Sequence, residues 1–111
     1  MMIQAATSET LPYAESETLL KDAPLYQIIL FDDDEHTYAY VIEMMMNVFI
    51  MSVEDAHQVA YDVDYIGQAV VKTCPLEEAV TGRDSILSYG SDFRSEHSSG
   101  SMKAIIQKVS E

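Results

Sequence analysis

Positive charge is what this chain of 111 residues most conspicuously lacks: six lysines and arginines face 19 acids, for a formal charge of −13. A protein that grips nucleic acid neutralises phosphates with clustered bases, and no such cluster exists here. An anionic membrane surface is disfavoured for the same reason, whereas cationic partners or basic protein surfaces are favoured. Cysteine is nearly missing as well. Cys74 stands alone, so no internal disulfide can form, and a reducing cytoplasm is the expected setting. The stretch MMIQAATSETLPYAESETLL has neither the basic start nor the apolar run of a signal peptide. The most apolar window, Tyr38 to Met51, is interrupted by Glu43 and Asn47 and is too short to span a bilayer. No internal repeat is present, and the length suits one domain with a modest core.

What is there centres on Ile28 to Met46, IILFDDDEHTYAYVIEMMM. An apolar strand, Leu25 to Phe31, runs into Asp32, Asp33 and Asp34, and a Met-rich helix follows one turn later. Adjacent carboxylates repel and raise one another's pKa. An acidic strand-to-helix turn beside an apolar wall fits a ligand with a cationic head and an apolar body; a solvated acidic turn is the alternative. Thr37 is placed to cap the helix, and Val41, Met44, Met45, Val48 and Phe49 recur at helical spacing.

Ser52 starts a second helix, with early acids Glu54 and Asp55 suiting its dipole. Ala56, Val59, Ala60 and Val63 form its buried face, and Gly67 ends it. Gln68 to Cys74 reads as a Val-rich strand. Pro75 opens a third helix whose expected stripe is Leu76, Ala79, Val80, Arg83 and Leu87, with Gly90 near its end. Ser91 to Ser101 reads as a polar loop and Met102 to Val109 as a last strand. The order β-α-α-β-α-β predicts an α+β fold, a three-stranded antiparallel or mixed sheet covered by three helices on one face. Residues 1–23, rich in Thr, Ser and Glu, read as a flexible acidic extension ahead of a folded domain at 24–111.

The acidic turn, the Val-Ile of the first helix and the later run Asp62-Val63-Asp64-Tyr65-Ile66-Gly67-Gln68-Ala69 together resemble the ClpS family, adaptors that hand N-degron substrates to Clp AAA+ unfoldases. The resemblance covers about Pro24 to Val109 and implies the family's compact sandwich. It also implies an amine site for the substrate's first residue at Asp32 (usually Asn), Asp33 and Asp64 (usually His). The implied side-chain pocket comprises Tyr38 (usually Met), Val41, Ala60 (usually Met), Val63 and Met102. His36, where the family often has Thr, is implied as a peptide-backbone contact. On the third helix Glu77 matches an unfoldase-facing acid, Val80 and Gly82 fall where a second acid and a Lys would be, and Arg83 is one residue away.

Replacing Asn and His by Asp keeps every acceptor for an ammonium and adds charge. Ala60 widens the pocket unless Tyr38 fills it. Two other readings of the residues are an oxygen-and-imidazole metal set of His36, Asp32, Asp34 and Asp64, and a thiol pair of Cys74 with His57. Neither is adopted: the spacing does not fit an EF-hand loop, and a cysteine ending a Val-rich strand is expected to be buried and inert. The sequence thus leads to a monomeric adaptor, not an enzyme, without cofactor or metal. Its expected partners are a Clp-type AAA+ unfoldase and N-degron substrates, with no nucleic acid and no membrane. The alternative is a divergent ClpS-like interaction module that has lost or altered N-degron binding and regulates or recruits through another protein contact.

Overall fold

The computed structural model describes residues 23–95 and 100–109; the expected N-terminal extension, but for Ala23, lies outside them. Strand β1 (Leu25–Phe31) is followed by helices α1 (Tyr38–Phe49) and α2 (Val53–Ile66), strand β2 (Gln68–Pro75), helix α3 (Leu76–Leu87) and strand β3 (Ala104–Lys108). The strands pair in the order β2-β1-β3, both pairings antiparallel. The predicted α+β fold of three strands and three helices is the one observed.

Strand β1 is central because it is apolar on both faces and carries no charge. Ile28 and Leu30 are fully buried on the helix side. Ile29 pairs with Val70 and Ile105, which remain nearly half exposed, so among the described residues that side carries no helix. The β1–β2 register slips between Ile28↔Lys72 and Ile29↔Val70, leaving Val71 as an extra residue.

Thr37 caps α1 by accepting the amide of Tyr40 at 3.2 Å, and Val41, Met44 and Met45 are buried, with Val48 and Phe49 packed around them. Ser52 caps α2 by accepting the amide of Asp55 at 3.1 Å, and Gly67 ends it with φ 102°. All four expected apolar positions of α2 are buried. In α3 the stripe differs from expectation: Ala79 and Ile86 are buried, whereas Leu76 and Leu87 are nearly half exposed. The reason is Gly82. A Cβ there would lie 2.6 Å from Ile28 Cδ1 and 3.0 Å from the Phe49 ring, so α3 lies down on the sheet along the face that holds 79, 82 and 86. Met102 is buried ahead of β3, which begins two residues later than expected.

Candidate functional site

The end of β1 is pinned from both sides. Phe31 donates its amide to the Lys103 carbonyl at 3.1 Å, and Asp32 donates to the Gly67 carbonyl at 3.0 Å. The acidic turn therefore sits where α2 passes into β2 and the chain enters β3. Asp33 then shapes the turn: its Oδ1 accepts the amides of Glu35 and His36 at 2.8 and 2.9 Å, an Asx arrangement that brings the chain round to α1.

Between α1 and α2 lies a cavity of about 140 Å³, lined by Asp32, His36, Thr37, Tyr38, Val41, Ala60, Val63, Asp64 and Met102. An apolar cavity of about 150 Å³ is known to hold a benzene ring, so the space suits one medium-sized side chain. The ring of Tyr38 leans towards α2, its hydroxyl donating to the His57 carbonyl at 3.4 Å. It thus spans part of the room that Ala60 leaves. The cavity is neither blocked nor gaping. A second cavity of about 350 Å³ adjoins it, sharing Asp32 and His36 and adding Asp33, Glu35, Gly100, Ser101 and Lys103.

Of the residues singled out in the sequence, Asp32, Asp64, Tyr38, Val41, Ala60, Val63, Met102 and His36 all line the first cavity. Asp33 lines only the second among these two. Glu77 and Arg83 line neither. Glu77 is exposed on the first turn of α3, and Arg83 pairs with its neighbour Asp84 at 3.1 Å. The inward direction of Gly82 means that a long base at this position would run into Ile28 and Phe49. Arg83 is the base that α3 offers instead.

The carboxyl of Asp32 is raised above its ordinary value, first by desolvation and then by the charges of Asp64, Asp33 and Asp34, against the opposing bond from the Asp33 amide. Such a site gains when a cation arrives. Cys74, by contrast, is buried, and that burial, with the charge of Glu78, pushes its thiol up despite Lys72. It is not poised as a nucleophile. Among the described residues no three His, Cys, Asp or Glu side chains are grouped to hold a metal ion, and no helix there is long and apolar enough to cross a membrane.

Sequence reasoning missed Asp92. Among the described residues it is the one acid that is buried. Its Oδ2 accepts the amide of Thr37 at 2.7 Å, and its Oδ1 accepts the amide of Arg94 at 3.0 Å. Arg94 in turn pairs with Glu43 on α1. Burial alone would raise the Asp92 carboxyl, but the bonds from Thr37 and Arg94 outweigh it and hold the group below its usual range. The start of α1, one wall of the cavity, is thus fastened by a residue from what reads in sequence as a featureless loop.

Comparison with known proteins gives the family and the fold. Residues 21–96 match the family model described as "ATP-dependent Clp protease adaptor protein ClpS". The ATP-dependent Clp protease adapter protein ClpS of Campylobacter jejuni (strain 81-176) is 28% identical over 71 residues, 64% of this chain and 74% of that protein. The protein of the same name from Vibrio cholerae serotype O1 (Classical Ogawa 395) is 34% identical over 67 residues, 60% of this chain and 63% of that one. In fold, the chain resembles Agrobacterium tumefaciens ClpS2 bound to L-phenylalaninamide, with a TM-score of 0.67 at 22% identity, covering 78% of this chain and 98% of that one. The chain belongs to the ClpS family of ATP-dependent Clp protease adaptors.

Proposed function

We propose that this chain receives the free N-terminus of a substrate protein, with the first side chain in the 140 Å³ cavity and the α-ammonium against Asp32 and Asp64. The observation that carries the reading is the joint placement of these two carboxylates with Val41, Ala60, Val63 and Met102 around one space. An α-ammonium offers three donors, and a carboxylate accepts each charge-assisted bond with a gain of roughly 1.5–3 kcal/mol. The solved ClpS2 holds L-phenylalaninamide, a free amine bearing one aromatic ring. The same two chemical parts match the acidic rim and apolar floor here. The role is binding and delivery to a Clp-type AAA+ unfoldase, not catalysis.

Fluorescence anisotropy with peptides that begin with Phe or Leu, each in free-amine and N-acetylated form, tests the reading. Free-amine peptides are expected to bind and acetylated ones to fail. Equal binding of both forms, or of neither, would overturn it.

Docking through α3 by Glu77 and Arg83 is part of the same proposal. One observation favours the second reading, recruitment through another contact: with Gly82 turned inward, Arg83 is the sole base on α3 and is already paired with Asp84. Capture of the N-terminal domain of a Clp unfoldase by the native chain, and its loss with Glu77→Lys and Arg83→Glu, would favour docking through α3. Capture unchanged by both substitutions would favour the other contact.

A further inference from the structure

Asp33 and His36 are arranged unlike the other polar residues at the cavity. The Oδ1 of Asp33 accepts the amides of Glu35 and His36, and both of its oxygens lie 2.8–2.9 Å from His36 Nδ1. Most of the acceptor capacity of one carboxylate is spent within its own turn. The other ring nitrogen of His36, Nε2, lies 2.6 Å from the Gly100 carbonyl. Both nitrogens therefore face acceptors that have no hydrogen to give. The ring bridges the two, its side chain only 2% exposed, between the acidic turn and the segment that enters β3.

The surroundings of the ring are mostly acidic. Asp33 and Glu35 face His36 from the turn, Asp32 from the end of β1, Asp64 from α2 across the cavity, and Lys103 across the second cavity. The ring of Tyr40 from α1 stacks on it, with centroids 4.6 Å apart. Asp92 holds the next amide, that of Thr37. Gly100 lies two residues before Met102, a wall of the first cavity, and three before Lys103, whose carbonyl pins Phe31. The link from Asp33 through His36 to Gly100 thus fixes the distance between the start of α1 and the opposite rim.

Resting on the amine-site reading above, we infer that Asp33 and His36 form a positioning strut, and that Asp32 and Asp64 alone meet the incoming ammonium. The carboxylate of Asp33 is taken up inside the protein, by the amides of Glu35 and His36 and by the His36 ring. The charges of Asp32 and Asp64 are left for the ligand.

Two measurements on the full chain test this. In the first, ¹⁵N spectra of labelled histidine should show the His36 ring held by hydrogen bonds at both nitrogens, with the Nδ1 resonance shifting in Asp33→Asn, which keeps the turn's acceptor oxygen and so the fold. An Nδ1 resonance unmoved by Asp33→Asn would overturn the strut. In the second, a free-amine Phe peptide is titrated against Asp33→Asn, His36→Gln and the double variant. Each single change should weaken binding roughly fivefold to tenfold, with the double no weaker than the stronger single, because both remove one strut. Asp64→Asn should add its full loss to either. If Asp33→Asn abolishes binding while His36→Gln leaves it unchanged, Asp33 touches the amine and the strut falls while the amine site stands. If the native chain binds no free-amine peptide, the amine site falls, and the positioning role with it.

Discussion

At the scale of single residues, two carboxyls near the cavity pull pH dependence in opposite directions. Asp32 has its folded pKa raised, so the folded chain holds that proton more tightly than the unfolded one. Its contribution is a cost that appears as pH rises above the ordinary aspartate value of about 3.9. Asp92 has its folded pKa lowered, so its contribution is present above that value and is lost as pH falls through the folded pKa. Thermal melts across the acid range up to pH 7 should show Asp92→Ala costing about 2 kcal/mol at pH 7, through the orphaned amides of Thr37 and Arg94, and less as pH falls through the folded pKa of Asp92. Asp32→Asn should be neutral or slightly stabilising at pH 7 and lose that advantage in acid. Asp64→Asn should likewise leave the melting temperature unchanged or raised, yet weaken a free-amine peptide by about 1.5–3 kcal/mol. Asp32 and Asp64 were legible in the sequence because each sits in a short motif of fixed spacing. Asp92 was not, because its partner Thr37 lies 55 positions away and nothing in a polar loop marks which acid turns inward.

At the scale of elements, helices announced their buried faces wherever the pattern of large apolar residues told the truth. In α1 and α2 it did. In α3 it did not, because the contact that sets the helix's roll is made by the absence of a side chain. Gly82→Ala gains helix propensity of roughly 1 kcal/mol, but its methyl meets the fully buried Ile28 and the Phe49 ring, and overpacking costs roughly 1–3 kcal/mol. Urea denaturation should show a net loss of stability. The end of α1 is the opposite case. Ile50 occupies the left-handed region with φ 54°, a position that suits glycine, and its side chain is 80% exposed. Ile50→Gly should raise stability by about 0.5–1 kcal/mol, the relief of the left-handed strain less glycine's added chain entropy. Neither outcome follows from counting contacts alone.

For the molecule as a whole, a charge of −13 makes salt act on folding and binding in opposite senses. Raising ionic strength from 10 mM to 1 M shrinks the screening length from about 30 Å to about 3 Å. The melting temperature should rise as self-repulsion is screened, while the affinity for a free-amine peptide falls. A melting temperature indifferent to salt would mean that the charges are too dispersed to matter. The order β2-β1-β3 has one more consequence. Among the described residues neither outer strand has a second strand beside it, and such an open edge is a template on which a second copy can add. Of the few bases in the described residues, Lys72 lies on β2, Lys108 on β3 and Lys103 just before it, while β1 has none. Where cations are so scarce, their place along the open margins of the sheet works against such pairing. Lys72→Val with Lys108→Val should leave the core intact and make light scattering climb more steeply with concentration than it does for the native chain.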